Sequence, residues 1–396
     1  MNASSSGPIR DRALEDLLGR EQTLLGCKLA AELVRGRVVM VTGAAGSIGS
    51  ELCRQIAALR PAALVGFDHA ETPLFYLERK LAAEFPSLRF RPEIGSVTRF
   101  ADLEWALRQH SPAMVYHAAA YKHVPLMECQ PFAAVENNIF GTWNAARASA
   151  LHGVERFVLI SSDKAVRPAS VMGATKRVAE LVVRALQQKA GTRLIAVRFG
   201  NVLESSGSVV PIFKAQIAAG GPVTVTHAEM KRYFMTASEA AQLVMESAVL
   251  GDGGDIFVLD MGEPVSILDL AHKLIRLSGL RPDADICIQF TGVRPGEKLF
   301  EELNLQDQNL VPTAHPRIRS LIDRFPVEMD YLTRWLLELR QALEVRDSSH
   351  LIDMLKTLIP DYCPGGEPAS DGIPIDPELE ARFDPMSGSS NMACMR

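Results

Sequence analysis

Asp163 and Lys164 follow directly on the run RFVLISS, which ends in Ser162, and a carboxylate next to an ammonium offers an acid and a base within one chain step. Each serves proton chemistry at neutral pH only if its pKa is moved, because an ordinary aspartate is ionised and an ordinary lysine protonated. Burial would move both in the useful direction, whereas their mutual attraction would oppose it. A second pair, Met172 and Lys176, is four residues apart and shares one face of a predicted helix. Upstream, Gly43, Gly46 and Gly49 punctuate VVMVTGAAGSIG. In that spacing Gly43 would make a tight turn, Gly46 would let backbone approach a pyrophosphate, and Gly49 would let a helix pack closely.

These residues need rigid elements to position them, and from Arg37 onward the pattern supplies them. Apolar runs RVVMVTG, AALVGFD, AMVYHAAA and RFVLISS alternate with amphipathic stretches, which predicts a parallel sheet covered by helices on both faces. The expected fold class is α/β, a Rossmann-type doubly wound parallel sheet with a smaller, interleaved C-terminal substrate-binding region. The glycines then fall between a strand and a helix, the setting that gives them their meaning, with Ser47 and Ile48 at the helix start against the same ligand. Asp68 ends the next run, where a carboxylate accepts from adenosine ribose hydroxyls and repels the extra phosphate of NADP, so NAD is the expected cofactor. The Asp163-Lys164 pair falls at the carboxyl end of a central strand, where open sheets bind ligands; the bland alternative is a surface ion pair.

The pattern changes after Phe199, where Gly, Ser and Pro mix with short strands. The expected organisation is an extension over 1–36, an NAD-binding domain over 37–200 and a substrate region over 201–364 with interleaved sheet elements. Helices are predicted over 331–345 and 349–358, and a disordered tail over 365–396. With 396 residues, 47% of them hydrophobic and 22% charged, the chain is long enough to bury a large core. A net charge of −5 gives no basic field for nucleic acid. Six cysteines without a C-x-x-C pair disfavour a disulfide framework and structural zinc, and fit a reducing cytoplasm. His117 and His123 have no carboxylate or cysteine at ligand spacing, so no metal is expected. No apolar run reaches membrane-spanning length and the start lacks a signal-peptide core, so a soluble cytoplasmic chain is expected.

The stretches HAAAYKHVPLME (117–128), ENNIFGTWN (136–144), SSDKAVRPASVMGATKR (161–177) and TGVRPGEKLFEEL (291–303) resemble the CapD-like polysaccharide-biosynthesis dehydratases, which convert UDP-N-acetylglucosamine to a 4-keto-6-deoxy sugar. The likeness runs from about Asp16 to Pro364, and the glycine spacing is similar to that of extended short-chain dehydrogenases. Larger members of the family carry membrane-spanning segments and commonly have methionine where others keep a tyrosine; Met172 aligns the chain with their soluble portion. The resemblance implies hydride removal from sugar C4, loss of the C5 proton and the C6 hydroxyl, and hydride return to C6, for surface polysaccharide or glycan synthesis.

In that scheme Asp163 is the acid at the C6 hydroxyl and Lys164 the base at C5. Ser162 orients the C4 hydroxyl with water as proton acceptor, since a thioether cannot accept it. Lys176 holds the nicotinamide ribose. Ser96 and Val97 are placed at adenine, Ala118 and Ala119 at the cofactor backbone, and Lys122 at the sugar. Asn201, Lys214, Arg232, Arg294 and Glu297 match positions associated with the nucleotide; Glu204 stands where glycine is usual, which puts local contacts there in question. Self-association is expected by analogy. The alternatives are a UDP-sugar 4-epimerase on the same scaffold, a noncatalytic NAD-binding regulator, and a reductase of a small alcohol, which would leave the 291–303 block unexplained.

Overall fold

The computed structural model describes residues 28–303, 310–322 and 327–365. A nine-stranded sheet runs β14 (Leu310–Pro312), β15 (Ile318–Leu321), β11 (Ile256–Leu259), β6 (Arg193–Arg198), β5 (Arg156–Ile160), β4 (Met114–His117), β1 (Val38–Thr42), β2 (Ala63–Asp68), β3 (Phe90–Ile94). The strands from β11 to β3 pair in parallel, while β15 and β14 add in antiparallel. Strand order reverses between β1 and β4, where Thr42 and His117 are register partners. That reversal opens a crevice at the carboxyl ends, where such sheets bind ligands.

The apolar runs read as strands because both faces are covered. Val39, Val41 and Val158 point into one core with α1 (Ser47–Ala58), α2 (Glu71–Glu84) and α7 (Ala237–Leu250). Met40, Val115 and Phe157 point into the other with α3 (Phe100–His110), α4 (Gly141–Leu151) and α5 (Val171–Gln187). The expected C-terminal helices are α9 (Met329–Val345) and α10 (Ser348–Leu358), both packed on α5. A short helix at Lys28–Val34 lies against α7; residues 1–27 of the expected extension, and the expected tail from 366 on, lie outside the described residues.

The smaller region has its own core, in which Phe213 of α6 (Val209–Ala218) meets Leu270 and Leu274 of α8 (Ile267–Leu277) and Val223 of β8 (Val223–Val225). Its ribbons are two-stranded: β7 (Asn201–Val202) with β10 (Phe234–Met235), β9 (Lys231–Arg232) with β12 (Val265–Ser266), and β8 with β13 (Ile288–Phe290). Because β11, β14 and β15 return to the main sheet, the two regions interleave in sequence. No helix among the described residues is long and apolar enough to cross a membrane.

Candidate active site

The dinucleotide end is shaped by backbone. Gly43 takes a φ of +66°, and a Cβ there would lie 2.6 Å from the Ala119 nitrogen. At Gly49 a Cβ would fall 2.0 Å from the Gly43 carbonyl oxygen, so helix α1 and its leading turn close on each other only through glycine. Gly46 is the N-cap of α1 and has no side-chain cap, which leaves amides of the first turn for an anion. Gly46, Ser47, Ile48 and Gly49 line a cavity of about 660 Å³. An adjoining cavity of about 290 Å³ is lined by Gly43, Asp68, Ser96, Val97, Ala118 and Ala119.

Asp68 ends β2 and is braced by the Ala45 and Ala70 amides, each donating across 2.9 Å to one carboxylate oxygen. Each oxygen retains a lone pair for a hydroxyl. The Ser96 hydroxyl is engaged with Thr98 Oγ1 at 2.8 Å. Together the glycine cradle, the braced carboxylate and the joined cavities fit a dinucleotide with free ribose hydroxyls.

At the end of β5 the chain makes a single tight turn, Asp163–Ala165. Asp163 Oδ1 accepts from Ser162 Oγ at 2.9 Å and from Lys164 Nζ at 3.0 Å. Ser162 and Lys164 line the larger cavity, whereas Asp163 is fully buried behind them. Its Oδ2 has no hydrogen-bond partner among the described residues. Burial pulls the Lys164 ammonium down, but the attraction of Asp163 and Glu301 outweighs it and holds the pKa above its ordinary value. For Lys164, the attraction that the sequence set against burial prevails.

Ser170 caps α5 by accepting from the Gly173 amide at 3.1 Å, and this sets the helix so that Met172 and Lys176 both face the cavity. Lys176 Nζ donates to the Ile160 carbonyl at 2.5 Å, and burial lowers its pKa to about 8. One turn on, buried Glu180 accepts from Ser161 Oγ at 2.6 Å and from Arg198 Nε and an Arg198 terminal nitrogen at 2.7 Å each. Burial raises the Glu180 pKa, but Arg198, Arg177 and Ser161 together pull it to about 2. This network ties α5 to the end of β5 beneath the Asp163-Lys164 pair. His117, buried between Thr42 Oγ1 and Thr142 Oγ1 at 2.7 and 3.2 Å, is driven to a pKa of about 3, by burial first and then by Lys176. It is a hydrogen-bonding residue, and no cluster able to hold a metal occurs among the described residues.

On the opposite wall the expected nucleotide residues divide. Asn201, Arg232, Arg294 and Glu297 line the larger cavity with Lys122, while Lys214 does not. Asn201 Nδ2 and Glu297 Oε2 are buried without partners among the described residues, while Arg294 bonds to the other Glu297 oxygen. Arg232 is spent on the carbonyls of Lys231, Leu299 and Lys298, at 2.8, 2.9 and 2.6 Å, and pins the 291–303 segment instead of offering a free fork. Lys214 pairs with Glu204, which takes a left-handed φ of +57°, the conformation glycine adopts without strain. Both cations thus have intramolecular partners in this structure. Lys122 is shifted down, by partial withdrawal from water first and then by the Lys164 charge.

A family model described as polysaccharide biosynthesis protein matches residues 39–322. The chain belongs to this polysaccharide biosynthesis family. It is 50% identical to the capsular polysaccharide biosynthesis protein CapD of Staphylococcus aureus over 82% of this chain and 55% of that protein. The chain spans about half the length of the curated relatives it matches first. Among solved structures, Pen from Bacillus thuringiensis superposes with a TM-score of 0.68 at 31% identity, covering 74% of this chain and 89% of Pen. The NAD complex of UDP-glucose 4-epimerase from Thermus thermophilus gives 0.58 at 22% identity, covering 67% and 89%, a likeness of fold.

Within this family member, two cavity groups, Ser208 and Glu301, and one supporting residue, Asn138, lay outside the sequence reading. Ser208, the N-cap of α6, has a buried Oγ without a partner among the described residues. Its signal was a serine just before the apolar VVPIF run. Asn138 holds the turn before Lys122 by accepting from the Tyr121 amide at 2.8 Å, and it donates to Thr175 Oγ1 of α5 at 3.0 Å. Glu301 lies 3.6 Å from Lys164 Nζ and is nearly inaccessible; its signal was a carboxylate directly after the apolar pair in KLFEEL.

Proposed function

We propose that this chain is an NAD-dependent 4,6-dehydratase of UDP-N-acetylglucosamine, making a UDP-4-keto-6-deoxy-N-acetylhexosamine for surface polysaccharide or glycan synthesis. The observation that carries the reading is the Asp163-Lys164 hydrogen bond of 3.0 Å after the carboxyl end of β5, one strand from the sheet's reversal, beside a methionine at position 172. A similar fold houses an epimerase, so the scaffold leaves the reaction open and the residues decide it. Epimerisation needs a group at C4 that takes and returns a hydroxyl proton, which a thioether cannot do. Dehydration needs the C4 hydroxyl proton removed as well, so Met172 alone does not separate the two reactions. What dehydration needs in addition is an acid and a base for C6 and C5, the chemistry for which Asp163 and Lys164 are suited.

When bound, NAD supplies the hydride acceptor for C4 and the hydride donor for C6. Ser162 orients the C4 hydroxyl, whose proton passes to water. Moving one proton from Lys164 Nζ to Asp163 Oδ1 converts the resting ion pair into a carboxylic acid beside an amine, without changing the proton count. Sugar covering the cavity favours that shift by excluding water from the charges. The Lys164 amine then takes the C5 proton. Asp163 is shut off from the cavity, so its proton reaches the departing C6 hydroxyl through Ser162 Oγ, and water leaves. The Lys164 ammonium, two of whose three hydrogens come from solvent, delivers one of them to C5, and the proton released at C4 restores the pair. Asn201, Ser208 and Glu297 supply unmet hydrogen-bonding groups for the nucleotide, and Lys176 supplies positive potential at the nicotinamide ribose.

The test is to incubate the protein with UDP-N-acetylglucosamine and NAD in deuterated water and follow the sugar by NMR and mass spectrometry. Loss of one water with deuterium at C5 is the expected result, and Lys164→Met lowers its rate by about 10³-fold with NAD still bound. A C4 epimer would assign epimerisation instead, and unchanged sugar with NAD bound would assign a noncatalytic role.

A further inference from the structure

Glu301 has no part in the proton steps above, yet it is held deep in the same wall. Its side chain is 5% exposed, it lines the larger cavity, and its Oε1 stands 3.6 Å from Lys164 Nζ. The ammonium therefore lies within reach of two carboxylates, Asp163 on its own turn and Glu301 from the end of the 291–303 segment. The charged groups facing Glu301 are Lys164, Asp163, Arg232 and Lys298, and Lys122 faces Lys164 from the turn after β4. Arg232 is occupied by backbone carbonyls, and Lys298 Nζ donates to the Val166 carbonyl at 3.1 Å. Among the described residues Glu301 forms its ion pair with Lys164.

We propose that Glu301 is a positioning residue for the dehydration: it holds the Lys164 ammonium beside Asp163 and sets the pH range over which that pair carries its single shared proton. The inference rests on the dehydratase reading. A negative charge next to the pair makes either of its protons harder to lose, so both limbs of a bell-shaped rate profile lie at higher pH than they would without it. Burial, ahead of the opposing pull of Lys164, raises the carboxyl of Glu301 itself, as expected for a group kept from water. A side chain that merely filled space would change the folded fraction without moving either limb.

The experiment compares Glu301→Gln and Glu301→Asp with the wild type in the full chain. In the Gln variant the kcat profile for UDP-N-acetylglucosamine is expected to move about one unit toward acid with KM changed by less than roughly twofold, and the Asp variant to lie between. A second readout, independent of turnover, is the NMR titration of 15N-labelled Lys164 in the free protein, assigned with Lys164→Arg. Its midpoint is expected to fall by about one unit in Glu301→Gln. If the Gln variant does not fold, a smaller fall in Glu301→Asp supports the proposal. An unmoved midpoint overturns it. A wild type that leaves the sugar unchanged sinks the dehydratase reading instead, and the titration then decides the role of Glu301 by itself.

Discussion

On the cofactor side the cleft is walled by main chain: Gly43 against Ala119, Gly49 against the Gly43 carbonyl, and Asp68 fastened by two amides. On the sugar-nucleotide side it is walled by side chains, of which Asn201, Ser208 and Glu297 each hold a buried polar atom without a partner among the described residues. The first wall is complete before ligand arrives. The second holds unmet hydrogen-bonding capacity, which costs stability until a ligand satisfies it. One scaffold thus combines a preformed cradle for a dinucleotide with a wall that gains most from a ligand able to meet its open hydrogen bonds.

The comparison breaks most readily at Gly49. Gly49→Ala is expected to destabilise the protein by about 4 kcal/mol or to abolish NAD binding, because the added carbon meets backbone. Thermal unfolding with and without NAD checks this, and a stable variant that binds NAD would show the turn to be more pliant than drawn. Next is Glu180→Gln beneath the catalytic turn, where removing one partner of a buried pair is expected to cost about 3 kcal/mol. Because the folded Glu180 pKa is about 2 against an ordinary 4.5, its stabilisation is complete above pH 4.5 and is lost as pH falls through about 2. Unfolding midpoints across that window should therefore fall less steeply in the variant.

The side-chain wall should respond in binding more than in folding. Glu297→Ala is expected to raise KM for the UDP-sugar roughly tenfold while leaving the melting temperature nearly unchanged. An equal effect on kcat alone would move Glu297 from nucleotide recognition to the reaction. The smallest change is Glu204→Gly, which relieves a left-handed backbone and releases Lys214. A gain of about 1 kcal/mol in stability is expected, with KM lowered a few-fold as Lys214 becomes free for the diphosphate. Unchanged KM would place Lys214 outside the substrate's reach.

Much of the cofactor wall was legible in the sequence, because glycine spacing, a strand-end aspartate and doubly apolar runs each report local geometry. The placement of Ser162, Asp163 and Lys164 after a strand end and of Met172 and Lys176 on one helix face was legible as well. The nucleotide wall was less so. Arg232 and Lys214 were matched to the nucleotide, and the sequence did not show the partners they have in the fold, the 298–299 carbonyls for Arg232 and Glu204 for Lys214.

The sequence alone determined the α/β layering, the dinucleotide turn and the adjacency of Asp163 and Lys164 after a strand end, since each depends on residues within one or two elements. The tertiary structure decided which groups act on the Lys164 ammonium and which polar groups remain unmet. Burial and the approach of Glu301 and Arg198 set the local electrostatics, and those are properties of chain segments that only folding brings together.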